Sequence, residues 1–208
     1  MGRRNQHNPA EFDELVLSKV EAFLVHNPAR ELSLRKIASL IDYAPSTLVS
    51  VYGNYANLLL RVNARTLNAL NQQLSACLGS RLQADSQPIV REKLDHLAQA
   101  YYAFAQQNPH RWQLIFDLRM PGNDPLPQWM QSAIDHSFEL LMHCLKLLNP
   151  SKTPEQHQLA CRVLWSGVHG ITQLSLGDKL FLNQHSDGKV MIGSLLDNYL
   201  ATWVETHH

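Results

Sequence analysis

An all-α fold is predicted for this chain by three observations. Apolar residues recur at intervals of three and four along most of its length. No segment shows the two-residue alternation of a half-buried strand. Prolines, glycines and asparagines stand where each periodic stretch would start or stop.

The elements follow in order. Asn8-Pro9 reads as an N-cap followed by proline at the first helical position. Glu11, Asp13 and Glu14 then occupy the first turn, where the helix dipole favours acids. Phe12, Leu15, Val16, Val20 and Phe23 form one face, and Pro28 is expected to close this helix. Ser33 can cap a second, short helix carrying Leu34, Ile37, Ala38 and Ile41. Asp42-Tyr43-Ala44 makes a turn. Pro45 opens a third helix over Ser46 to Tyr52, which Gly53 ends. A long helix is expected from about Tyr55 to Leu78. Breaks at Gly79-Ser80, Gln87-Pro88, Asn108-Pro109, Met120 to Pro127, Asn149 to Pro154 and Asn183 to Gly188 divide the remainder into further helices.

Composition narrows the function classes. With 45% hydrophobic and 17% charged residues in 208, the chain has the makings of a generous core and not of a disordered segment. No apolar run approaches the roughly 20 residues needed to span a bilayer, and the polar start Met1 to His7 lacks the apolar stretch of a secretory signal. A cytoplasmic protein without membrane partners is therefore expected. Cys77, Cys144 and Cys161 form no CxxC pair, so neither a disulfide framework nor a zinc finger follows. His136 and His143 with Glu139 between them lack the i, i+4 pair of a strong helical metal site, and no metal or cofactor is expected. Gly-x-Ser-x-Gly and GxGxxG are absent, and no nucleophile–base pair stands out, so no enzymatic activity is expected. Net charge is zero, but residues 1–70 hold eight basic against six acidic side chains, net +2. That asymmetry has the sign a nucleic-acid reader needs and is weak.

The informative stretch is Leu32 to Leu58, LSLRKIASLIDYAPSTLVSVYGNYANL. Two short helices joined by a tight turn, the second opening on small polar residues, form the helix-turn-helix pattern. A helix that enters the major groove needs short side chains at its start, and Pro45-Ser46-Thr47 supplies them. Leu48 and Val51 are expected to face inward against Ile37, Ala38 and Ile41. A Ser33 cap leaves backbone N–H groups outward, which suits a phosphate.

The order Ser-Leu-Arg-x-Ile-Ala, turn, Ser-Thr-Leu-x-x-Tyr, Asn-x-x-x-Leu resembles the DNA-binding region of TetR-type repressors. Further on, Leu164-Trp165-Ser166-Gly167-Val168-His169-Gly170 resembles the Trp-x-x-x-His-Gly segment of one TetR subgroup. Asn108-Pro109 followed by Trp112, Leu114 and Phe116 resembles the start of a pocket-lining helix in the same subgroup. The resemblance implies a three-helix DNA-binding domain, residues 1–56, and a helical ligand-binding and dimerisation domain, residues 57–208. It further implies a homodimer on double-stranded DNA bearing a near-palindromic operator, and a repressor released by a small apolar effector. Two long C-terminal helices, roughly Pro154 to Leu182 and Lys189 to Thr206, would build a four-helix bundle with their symmetry mates. Leu159, Val163, Val168, Ile171, Leu195, Leu196, Leu200 and Trp203 would supply its apolar positions.

On that footing Arg3, Arg4, Arg35 and Lys36 are the candidate phosphate partners, with Ser33 at the first helix. Ser46, Thr47 and Ser50 are the candidates for base edges, after Pro45, with Tyr43, Tyr52 and Tyr55 around them. The chain departs from the family where Asp42 replaces the usual turn glycine, Val49 an aromatic, and Tyr55 a basic residue. No Arg or Lys occurs between Lys36 and Arg61, so few counterions can be released on binding DNA. The effector region is assigned to Tyr102, Trp112, Phe116, Phe138, Trp165, His169 and Gln173, with His169 and Gln173 as polar anchors. The alternative for these aromatics is an ordinary core stripe. The alternative for the whole chain is a helical adaptor whose poorly charged head contacts protein.

Overall fold

A computed structural model describes residues 8–79, 86–119, 125–180 and 187–203. Helix α1 (Pro9–Leu24) starts at a reciprocal cap. The Asn8 side chain accepts from the Glu11 N–H at 2.9 Å, and the Glu11 carboxylate accepts from the Asn8 N–H at 3.1 Å. The helix ends at Leu24, before the Pro28 expected to close it. The side-chain amide of Asn27 donates to the Phe23 carbonyl at 3.0 Å and competes with the next helical turn. A single 3₁₀ turn, Ala29–Glu31, follows Pro28.

Helix α2 (Leu34–Ile41) is capped by Ser33, whose hydroxyl accepts from the Lys36 N–H at 3.1 Å. It stops at Asp42, which adopts the left-handed conformation with φ 59° and ψ 44°. This conformation strains any residue with a Cβ, though Asp less than most. Asp42→Gly is therefore expected to stabilise the protein by about 0.5–1 kcal/mol, measured by chemical denaturation. Helix α3 (Pro45–Tyr52) begins at its proline and ends at Gly53, where φ is +76°. Helix α4 (Tyr55–Leu78) follows, its first turn capped by Asn54, whose side-chain oxygen accepts from the Asn57 N–H at 2.8 Å.

The chain groups into two compact units, residues 1–67 with 108–130 and residues 68–107 with 131–208. This grouping by contact is distinct from the functional division expected at residue 56. The first unit holds α1 to α3, the start of α4 and helix α6 (Pro109–Asp117). Its core joins Phe12, Val16 and Val20 to Ile37, Ala38, Leu48, Leu58, Val62 and Leu114. Burying each of the larger side chains contributes about 1.5–3 kcal/mol. One expectation is corrected here: Val51 is 51% exposed, and Tyr52 is the residue that turns inward with Leu48. The two inward positions are four apart, one helical turn.

The second unit holds the rest of α4, helix α5 (Gln87–Gln107), most of α7 (Gln128–Leu148), α8 (Pro154–Leu176) and α9 (Gly188–Trp203). Helix α8 is shorter than expected, and Leu182 and Thr206 lie outside the described residues. Helices α5, α8 and α9 pack around Leu94, Leu164, Ile192, Leu196 and Leu200. Asn149, itself buried, donates to the Trp203 carbonyl at 2.7 Å and ties the end of α7 to the end of α9. Close helix approach depends on two glycines. A Cβ on Gly167 would stand 2.6 Å from the Leu195 side chain, and one on Gly188 would stand 2.6–2.7 Å from the Tyr102 ring. That ring cannot yield easily, because its hydroxyl is bonded to Ser175 at 2.6 Å and Gln106 at 3.0 Å. Gly188→Ala is expected to cost roughly 1–3 kcal/mol through overpacking, read as a lower unfolding midpoint.

The positions expected to form an intersubunit bundle divide into two groups. Val168, Leu196, Leu200 and Trp203 are buried within the chain itself, which corrects their assignment to a dimer face. Leu159 and Val163 remain 66% and 42% exposed, and Ile171 and Leu195 are half-buried.

Candidate nucleic-acid interface

The candidate interface lies on α2, the Asp42 turn and α3, all within the first unit. Ser33, Arg35 and Lys36 are exposed at the start of α2. The Lys36 ammonium lies over the Phe23 ring, 5.6 Å from its centre. Pro45, Ser46 and Ser50 are exposed along α3, and Thr47 is half-buried. Tyr43 and Tyr55 are half-buried at either end of the motif. Tyr43 packs edge-on against Phe12 at 5.0 Å. Arg3 and Arg4 lie outside the described residues.

Tyr52 is the exception. It is 5% exposed, and its hydroxyl donates to the Asp13 carboxylate at 2.8 Å. Burial, followed by the bond to Asp13, pushes its phenol well above the ordinary range. The Arg61 guanidinium lies over the same ring at 5.8 Å and 3.8 Å from Asp13. Tyr52 is thus a clamp between α1, α3 and α4 and is withdrawn from the expected contact surface. Its effect on that surface is positional: it fixes the direction α3 presents.

A second set of anchors was not anticipated. Glu14 accepts from both ends of the Arg65 guanidinium at 2.7 and 3.2 Å. Glu21 takes Arg65 at 3.0 Å and Arg111 of α6 at 2.9 Å. These pairs join residues more than forty positions apart, and sequence spacing along one helix carries no signal for them.

The effector candidates fall in both units. Trp112 and Phe116 belong to the first, where Trp112 is wholly buried and Phe116 is 40% exposed beside it at 5.0 Å. Trp112 is a core side chain, not an open pocket wall. The other five belong to the second unit. Tyr102 is 2% exposed and its hydroxyl is committed to Ser175 and Gln106, which makes it core as well. Phe138, Trp165 and His169 are brought together. Phe138 meets Trp165 edge-on at 5.3 Å, and Trp165 stacks on His169 at 5.2 Å. Tyr101 and His169 Nδ1 are 2.9 Å apart and share a hydrogen bond. Gln173 is half-buried one turn further along α8.

Burial holds the His169 imidazole below its ordinary value. Its neutral form is therefore favoured by folding, and stability is full above the ordinary histidine value of about 6.5. It is lost as pH falls below that value toward the depressed one. Denaturation midpoints are expected to drop between pH 7 and 5, and His169→Gln is expected to flatten that drop.

A groove of about 590 Å³ opens between α7 and α8, lined by Asp135, Phe138, Glu139, Leu159, Cys161 and Arg162 among others. Phe138 is the one effector candidate on its wall, and the Arg162 guanidinium covers that ring at 3.7 Å. Burial pushes the thiols of Cys144 and Cys161 up to about 11, so both are neutral at physiological pH.

Residues 94–198 match the family described as tetracyclin repressor-like, C-terminal domain. The chain belongs to the TetR family. It is a TetR-like transcriptional regulator. Solved structures agree with the TetR fold over nearly the whole chain. A protein of unknown function from Rhodococcus sp. RHA1 has a TM-score of 0.74 at 18% identity, covering 98% of this chain and 100% of its own. PfmR from Thermus thermophilus, a TetR family transcriptional regulator, has a TM-score of 0.60 at 14% identity, covering 89% and 97%. FadR from Thermus thermophilus, a TetR family repressor solved with lauroyl-CoA, has a TM-score of 0.65 at 15% identity, covering 94% and 97%. Among curated proteins none matches the sequence. No helix among the described residues is long and apolar enough to cross a membrane.

Proposed function

We propose that this TetR-family protein is a homodimeric repressor that binds a near-palindromic operator through α2 and α3 and is released by a small, largely apolar effector. The observation that carries the reading is the geometry of residues 33–53. A capped α2, a left-handed turn at Asp42 and a proline-led α3 leave the small polar face of α3 in solvent while Leu48 and Tyr52 anchor it. In this reading Arg35 and Lys36 take phosphates and Ser46, Thr47 and Ser50 approach the bases. Residues 1–56 form the functional reading domain and 57–208 the sensing and pairing domain, acting in the cytoplasm.

Isologous pairing through α8 and α9 is supported by the exposed Leu159, Val163 and Leu174 and by a shallow hollow of about 540 Å³ around Ile171, Leu195 and Tyr199. The effector assignment is supported by the Phe138–Trp165–His169 cluster, and membership of the Trp-x-x-x-His-Gly subgroup by the resemblance of residues 164–170. A coupling of about 1–3 kcal/mol between effector and operator suffices for regulation.

The absence of Arg and Lys from residues 37–60 favours one second reading, a helical adaptor that contacts protein. Capture of fragmented genomic DNA from the source organism by the purified chain, at low and near-physiological salt, separates the two. Enrichment of a few palindromic sites that survive the higher salt is the expected result. No enrichment by folded, dimeric protein overturns the repressor reading in favour of the adaptor.

A further inference from the structure

The exposed face of α3 is unusual in what it lacks. Taking Leu48 and Tyr52 as the inward direction, the helical repeat puts Ser46 and Ser50 opposite, Val49 on one flank and Thr47 and Val51 on the other. Val49 is 44% exposed and Val51 51%. None of these five side chains carries a guanidinium, ammonium or amide.

Sequence reading in the major groove depends on what each base pair displays there. Guanine is read by Arg or Lys on O6 and N7, and adenine by Asn or Gln on N6 and N7. Helix α3 itself carries neither set of groups. No Arg or Lys occurs from residue 37 to residue 60. The two nearest asparagines, beyond the end of α3, are each held to backbone through one side-chain atom: the Asn54 oxygen accepts from the Asn57 N–H at 2.8 Å, and the Asn57 amide donates to the Tyr52 carbonyl at 3.1 Å. Serine hydroxyls donate and accept equally, so Ser46 and Ser50 discriminate little between bases. The remaining feature in the groove is the thymine C5-methyl, the one apolar group a Watson–Crick pair presents there. Val49 on one flank, and the Thr47 methyl with Val51 on the other, are its chemical complements.

We infer that α3 reads its operator chiefly through thymine methyl groups, with Val49 and Thr47 as the specificity-determining contacts. The inference rests on the reading of α3 as the groove helix. The operator half-site is then marked by thymines at fixed positions on the strand facing these residues. Guanine contributes little direct readout, and the outlying Arg35 and Lys36 supply orientation without sequence choice.

The test uses the full-length chain and a randomised duplex pool. Repeated selection is expected to recover a palindrome with invariant thymines in each half. The recovered duplex is then synthesised with deoxyuridine at each thymine in turn, which removes the methyl and leaves the O4 acceptor. Each methyl contact removed is expected to weaken binding about fourfold, the factor for one buried methylene-sized group. Val49→Ala, at an exposed position that does not disturb the core, is expected to weaken binding similarly and to abolish the deoxyuridine effect at its own position. A palindrome that binds equally well with uracil, or one fixed mainly by guanines, overturns the inference and leaves the repressor reading intact. Recovery of no sequence overturns both.

Discussion

Ser50→Glu is expected to reduce operator affinity roughly 100-fold, about 2.7 kcal/mol, while leaving the unfolding midpoint within error of the parent. Ser50 stands at the middle of the exposed face of α3, opposite the buried Leu48 and Tyr52. A carboxylate there would be pressed toward phosphates and base acceptors, and like charges held together at an interface cost several kcal/mol. The same substitution touches no core contact, and surface changes of this kind alter stability by about 0.5 kcal/mol or less. Fluorescence anisotropy on the selected duplex at fixed salt reads the first quantity, and thermal unfolding reads the second. Unchanged affinity in a folded variant would move the DNA contact off α3.

The second large effect concerns stability. Trp112→Ala is expected to cost roughly 3–5 kcal/mol, because the indole is wholly buried in the first unit beside Phe116 and its removal leaves a cavity. Phe116→Ala, at a 40% exposed position, is expected to cost about 1 kcal/mol or less. Urea titration of the two variants gives the comparison directly. Equal effects would mean that Trp112 is not the packing centre of α6.

These contrasts mark what could be read from sequence. Features settled within one turn of chain were legible. Asn8 and Ser33 cap their helices as expected, through side chains that accept from the third following N–H. The turn at Asp42 takes the left-handed conformation that glycine more often supplies at such positions. The expected start and end of α4 at Tyr55 and Leu78 match the structure.

Choices made by tertiary packing were not legible. Val51 and Tyr52 are adjacent, and apolar character alone favoured the valine for the core. The structure buries the tyrosine because Asp13, thirty-nine residues away, accepts its hydroxyl and removes the cost of burying it. Tyr102 follows the same logic, its hydroxyl held by Ser175 and Gln106, and Trp112 is likewise buried by tertiary packing. Aromatic residues at helical spacing serve core and cavity equally well in a sequence, and only burial separates the uses. The joint hold of Glu21 on Arg65 and Arg111 connects three helices and leaves no local pattern. The α8 and α9 stripes were read as one dimer face, whereas four of those eight positions are buried within the chain, two are half-buried and two are exposed.

The departures from the family pattern bear on the site more than on the fold. Asp42 preserves the turn geometry. Under the proposed reading, Val49 and Tyr55 stand where the resemblance implies an aromatic and a basic residue, which leaves more of the recognition to shape and apolar contact. In that reading counterion release is confined to what Arg35, Lys36 and the N-terminal arginines supply, and base recognition depends on a well-placed α3. The Tyr52–Asp13–Arg61 clamp provides that placement.

Operator binding through α2 and α3 is tested most directly by the salt dependence of affinity for the selected duplex. Two heads offering Arg35 and Lys36, with Arg3 and Arg4 on each chain as additional partners, predict a slope of log affinity against log salt between about −3.6 and −7. A specific complex of two chains per duplex with a slope in that range is the predicted result. Binding that is independent of salt, or no specific duplex binding by a folded protein, would contradict the account.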